Sequence, residues 1–135
     1  MLEVEAFGST DLGISFLLRL DGKLIFHAGD LNNWHWKEES TEEEVREAGN
    51  AYLAELEILA RRTDRVDLVM FPVDPRLGRE YMLGAKQFVD RFRVGMFVPM
   101  HFDEKYTRAN AFREYAESRG VRFVELTYRG EEFKI

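Results

Sequence analysis

The stretch Phe26-His27-Ala28-Gly29-Asp30-Leu31-Asn32 runs apolar and then stops in histidine, glycine and aspartate, the pattern of a buried strand ending in polar chemistry. A second segment, Gly95-Met96-Phe97-Val98-Pro99, ends the same way in Met100-His101-Phe102. In open α/β sheets, sites form outside the carboxyl ends of the strands, so a carboxylate at 30 and an imidazole at 101 stand where metal ligands sit. Two ligands do not close a zinc site, which takes three protein ligands in catalytic form and four in structural form. The chain reads as half of a metal site.

Around that stretch the sequence alternates strand and helix signals without a repeat, a linker or a low-complexity tract, which predicts an α/β domain over residues 1–135. Leu2 to Phe7 alternates apolar and acidic residues as a half-exposed strand would. Ile14 to Leu20 and Lys23 to His27 form a hairpin across Asp21-Gly22, a pair that tolerates the positive φ of a type I′ turn. Ser40 is placed to cap a helix that opens in Glu42, Glu43 and Glu44 and runs to about Arg62, with Tyr52, Leu53, Leu56 and Leu59 on its core face. Asp67 to Val73 is a third buried strand, stopping at Asp74-Pro75-Arg76. A helix over Tyr81 to Phe92, a strand over Val94 to Pro99 and a helix over Thr107 to Ser118 ending at Gly120 follow, then strands at Val121 to Leu126 and Tyr128 to Ile135.

Composition narrows the function. A net charge of −6 spread over mixed-sign surfaces argues against nucleic acid as a partner. The absence of cysteine excludes disulfides and thiolate metal sites, so any metal is held by His, Asp and Glu, in keeping with a reducing cytoplasm. The apolar runs fall short of a membrane span and the first residues lack a secretory signal, so a cytoplasmic protein is expected, with no membrane contact.

Each candidate residue also has a plainer reading. Asp30, after a glycine at a strand end, suits a turn as well as a metal. His101 suits a rim or core position as well as a ligand. Asp74 stands at the tip of the third buried strand, beside them. Arg76 has a planar fork that fits an anionic substrate group and equally fits a surface ion pair. His35, flanked by Trp34 and Trp36, lines a pocket or packs in a loop. His27, inside its strand, suits a supporting role behind the ligands.

Taken together, Phe26-His27-Ala28-Gly29-Asp30, Phe71-Pro72-Val73-Asp74-Pro75-Arg76 and Val98-Pro99-Met100-His101-Phe102 resemble the C-terminal half of a metallo-β-lactamase-fold hydrolase, in the branch that includes lactonase-like members. The resemblance spans nearly the whole chain. It implies that Asp30 bridges two divalent ions, zinc or manganese, and that His101 binds one of them. It also implies a pocket for a small-molecule substrate lined by Asp11, Trp34, His35, Asp74 and Arg76, with His27 behind the ligands. The leading His-x-His-x-Asp-His motif of that family is absent. A Gly-His-Thr turn found in many relatives is replaced by Gly8-Ser9-Thr10-Asp11, where Asp11 could supply an oxygen. Low metal occupancy in this chain alone is the consequence.

The fold implied is half of an αβ/βα sandwich, one mixed β-sheet with helices on its outer face. Its inner face, expected to carry Ile14, Phe16, Leu18, Ile25, Val69 and Phe97, would lie partly open. At roughly 25 cal/mol per Å², several hundred Å² of uncovered apolar surface forgoes stability comparable with a domain's net total. A homodimer, or a separate chain carrying the N-terminal half, is expected to cover it. The activity implied is metal-dependent hydrolysis of an ester, lactone or phosphoester bond, completed in trans or by a missing N-terminal half. The alternatives are a non-catalytic half-domain that serves as an assembly or binding module, and a fragment of an active hydrolase.

Overall fold

A computed structural model describes residues 1–135. Six strands form one mixed sheet in sequence order: β1 (Glu3–Phe7), β2 (Ser15–Leu20), β3 (Lys23–His27), β4 (Arg65–Pro72), β5 (Arg93–Met100) and β6 (Arg122–Phe123). β1, β2 and β3 are antiparallel neighbours, while β3 through β6 run parallel. The β2–β3 turn has both central residues at positive φ, Asp21 at 49° and Gly22 at 77°, as the Asp-Gly pair foretold. The expected class, α/β with a single mixed sheet carrying helices, is the one observed.

The helices are α1 (Glu42–Ala60), α2 (Leu83–Arg91), α3 (Tyr106–Asn110) and α4 (Arg113–Ser118). α1 is capped by Thr41 rather than Ser40: the Thr41 hydroxyl accepts from the Glu44 N–H while the Glu44 carboxylate accepts from the Thr41 N–H, a reciprocal capping box. Ser40 lies one residue too early to reach that N–H. On α1, Tyr52, Leu56 and Leu59 are buried, but Leu53 is 42% exposed, because it falls about 100° round the helix from Tyr52. The helix expected over 107–118 is broken into α3 and α4 at Ala111-Phe112, which lets Phe112 turn fully inward against Phe97 and Phe123. β6 spans two residues, and 128–135 contains no strand.

Side chains on the two faces of the sheet have different fates. Phe26, Val69, Phe71 and Phe97 join the helices in a core of 24 buried residues, built around Phe88 and Phe112. Val69 and Phe97 thus lie on the helix-covered face, at 0% exposure, and not on the open one. The other face carries two registered rows, Val4–Leu18–Ile25–Leu68–Met96 and Phe16–His27–Met70–Val98. Its cluster of Leu68, Met96, Val98 and Val124, flanked by Ile25, Met70 and Leu126, includes no helical residue. Leu68, Met96 and Val98 are screened in the middle of the sheet, while Val4 at its margin is 55% exposed. No helix is long and apolar enough to cross a membrane.

Candidate metal centre

Because β3, β4 and β5 are parallel and adjacent, their carboxyl ends deliver His27-Ala28-Gly29-Asp30, Val73-Asp74 and Met100-His101 to one edge. Backbone bonds extend the ladder past the strands and fix these tips: the Ala28 N–H donates to Met70 O and the Val73 N–H to Met100 O, both at 2.9 Å. Gly29 makes the sharp exit possible. Its φ is +59°, and a Cβ there would lie 2.6 Å from the Ile14 carbonyl oxygen, so conformation and space both demand glycine.

The edge brings together three of the candidate residues. His101 Nε2 is 3.4 Å from Asp30 Oδ1, and His101 Nδ1 is 2.9 Å from Asp74 Oδ2. Asp30 and His101 are each about one-third exposed at the side chain, whereas Asp74 is almost wholly enclosed. The Asp74 carboxylate accepts from the Arg76 backbone N–H at 3.0 Å and from the guanidinium through Nε at 3.0 Å and Nη2 at 2.6 Å. Burial pushes its carboxyl pKa up, but the Arg76 and His101 hydrogen bonds outweigh that and hold it below the usual carboxylate range. An ionised Asp74 has no proton to offer, so the His101 imidazole donates to it from Nδ1, and in the neutral ring the Nε2 lone pair then faces Asp30.

With the ring neutral, two electron-rich atoms face each other across 3.4 Å, a separation longer than a charge-assisted hydrogen bond. Two donors at zinc bond lengths, subtending a tetrahedral angle, stand about 3.3 Å apart, so Asp30 and His101 fit one edge of a divalent-metal site. Asp74 is not a third ligand, since it binds the opposite ring nitrogen. No group of three or more His, Asp or Glu side chains converges on a metal-holding geometry. The pair has the spacing of one edge of a metal site, and no third such side chain joins it in a ligating group.

The other expected residues are placed as follows. Trp34 packs its ring against His101 with centroids 5.3 Å apart and donates its Nε1–H to the Asp30 backbone carbonyl at 2.7 Å, bracing both residues. Asp74 stands behind the imidazole, almost wholly enclosed. Arg76 commits Nε and Nη2 to Asp74. Asp11 is exposed, and its charge, with that of Asp103, favours the Arg76 cation. His35 is 2% exposed with both nitrogens occupied, Nε2 by the Glu80 carbonyl and Nδ1 by the Lys37 N–H. It borders a shallow cavity of about 390 Å³ with Lys37, Leu77 and Glu80, which shares no residue with the one beside His101. His27 bonds neither ligand; its Nδ1 accepts the Gly29 N–H at 3.0 Å, shaping the turn into Asp30.

A second cavity of about 390 Å³ opens beside His101, bordered by Phe102, Asp103, Glu104, Tyr106 and Arg129. Sequence reading quoted Phe102 only as part of the His101 motif and passed over the other four. His101, Asp103 and Glu104 have φ of 63°, 48° and 61°, a run of left-handed backbone in non-glycine residues that turns the loop around the imidazole. Thr10 was also missed: its hydroxyl donates to Asn32 O and accepts from Asn32 N–H, fastening the loop before β2 to the Asp30 turn.

No protein-family model matches the sequence, and no curated protein matches it. Among solved structures, 95% of the chain aligns with 51% of a protein from Parabacteroides distasonis assigned as a metal-dependent hydrolase, at 13% identity and a TM-score of 0.55. What the two share is the fold. A second match covers 87% of the chain and 50% of a protein from Thermotoga maritima assigned as a Zn-dependent hydrolase of the metallo-β-lactamase superfamily, at 19% identity. Its TM-score of 0.44 is too loose to build on. The chain spans about half the length of the solved structures it matches.

Proposed function

We propose that this chain is the C-terminal half of a metal-dependent hydrolase of the metallo-β-lactamase fold, in which Asp30 and His101 supply part of a divalent-metal site. The observation that carries the reading is the 3.4 Å approach of Asp30 Oδ1 and His101 Nε2 at the carboxyl edge of parallel strands. The fold it shares with half of a hydrolase supports it. Bound zinc or manganese would lower the pKa of a water and polarise the bond to be cleaved, an ester, lactone or phosphoester. The chain's own residues have simpler tasks. Asp74 fixes the imidazole, Trp34 packs against the His101 ring and holds the Asp30 backbone, and the cavity beyond His101 receives a small molecule.

The remaining ligands come from a partner or a further segment seated on the open sheet face, where the rows centred on Leu18 and Ile25 present apolar side chains without a helix over them. A homodimer is the simpler covering and a complementary N-terminal-half chain the one that completes the site. The setting proposed is cytoplasmic, in keeping with a chain that lacks cysteine.

Zinc titration of the purified chain, read by competition with a chromophoric chelator, tests the reading. Weak binding that disappears in both Asp30→Ala and His101→Ala is expected; binding unchanged in both variants overturns it. Sedimentation velocity of Leu18→Glu tests the face separately, since a charge at its centre should shift an assembled species to the monomer.

A further inference from the structure

We propose that Arg76 is a positioning residue for His101: by clamping the Asp74 carboxylate it keeps the imidazole proton on Nδ1 and the Nε2 lone pair turned toward Asp30. This deepens the hydrolase reading, because it concerns the same site, yet it does not require a metal to be bound.

The Arg76–Asp74 ion pair is asymmetric. The Arg76 side chain is 60% exposed while that of Asp74 is 2% exposed, so the arginine lies over the carboxylate as a cover. Nε contacts both carboxylate oxygens, at 3.0 and 3.1 Å, and Nη2 contacts Oδ2 at 2.6 Å. A fork that spans both oxygens sets the plane of the carboxylate, which a single donor cannot do. The Arg76 backbone N–H reaches Oδ1 alone, so without the guanidinium it would act as a pivot about which Oδ2 could swing away from His101. Oδ2, shared by Nη2 and the imidazole Nδ1, is the oxygen that decides the His101 tautomer.

The histidines supply an internal contrast. His27 accepts the Gly29 N–H on Nδ1, and His35 accepts the Lys37 N–H on Nδ1, so both carry their neutral proton on Nε2. His101 alone of the three is set up with the opposite tautomer. Histidine in water prefers the proton on Nε2, so the arrangement at 101 has to be imposed, and the clamp imposes it.

Nitrogen-resolved NMR of the imidazoles of metal-free protein, recorded above the imidazolium range, reads the tautomer directly. The wild-type chain should show two Nε2–H histidines and one Nδ1–H histidine, the latter favoured by roughly tenfold, as a charge-assisted bond would give. In Arg76→Met the His101 signal should move toward the Nε2–H pattern while His27 and His35 stay put. Arg76→Lys, which keeps the charge and loses the fork, should fall between. Asp74→Ala marks the full shift. A wild-type His101 pattern in Arg76→Met, or an Nε2–H His101 in the wild-type chain, overturns the proposal. Should Arg76→Met fail to fold, seen as collapse of the His35 signal, Arg76→Lys decides by the same criterion. If zinc binding fails while the tautomer shifts as expected, the hydrolase reading falls and the clamp stands.

Discussion

The two ends of the parallel strands carry ion pairs of very different character. At the amino end, Arg93–Asp64 is 2.9 Å long with both side chains about three-quarters exposed, and in Arg65–Asp67 at 3.2 Å the side chains are about half and one-third exposed. At the carboxyl end, Asp74 is enclosed, its carboxylate saturated by Arg76 and His101. Similar distances conceal a difference in consequence. An exposed pair gains little because water competes for both partners, whereas an enclosed carboxylate that loses its donors has nothing to replace them. The amino end is a solvated margin; the carboxyl end is a constrained one.

The contrast breaks most visibly through Asp74→Ala. Chemical denaturation should report a loss of about 3 kcal/mol, since the substitution strands the His101 Nδ1–H and removes the carboxylate that organises the Asp74–Leu77 turn. A value near zero would make the two ends equivalent. Gly29→Ala comes next, at about 2 kcal/mol, because a Cβ at 2.6 Å from the Ile14 carbonyl and a left-handed backbone both oppose it; thermal melts would measure the loss.

Acid sharpens the comparison by a different route. The Asp74 carboxyl titrates below its ordinary value in the folded chain, so its contribution is fully present above the unfolded carboxylate range near pH 4. It is lost as the pH falls through the lowered folded value, at up to about 1.4 kcal/mol per pH unit. Denaturation midpoints between about pH 5 and pH 2 should fall more steeply for wild type than for Asp74→Ala. The smallest effect belongs to the amino end: Arg93→Ala should change stability by about 0.5 kcal/mol or less, and by less still in 1 M salt, which screens exposed charges. A large, salt-insensitive loss there would remove the distinction.

Much of this architecture was legible in local patterns. The Asp-Gly hairpin turn, the near-continuous apolar runs of β4 and β5 and the acidic opening of α1 each name their element, because backbone sterics and burial on both faces act within a few residues. The placement of Asp30 and His101 at strand tips was readable too. Less accessible was which face each strand residue takes. Val69 and Phe97 look no different in sequence from Leu68 and Met96, and only the register of the assembled sheet sends one pair to the helices and the other to the open side. The break at Ala111-Phe112 likewise follows from the pull of Phe97 and Phe123 on Phe112, contacts distant in sequence.

The sequence by itself determined the strands with polar ends and singled out Asp30 and His101, the two side chains that face each other, since strand period and turn chemistry are local. Tertiary structure alone decided what their neighbours do. It joined Asp74 to both Arg76 and His101, satisfied His35 in a loop and laid Trp34 against the His101 ring. The reason is geometric: hydrogen-bond partners 27 to 45 residues apart are chosen by which strand tips and loops the sheet brings within 3 Å, and no local pattern encodes that choice.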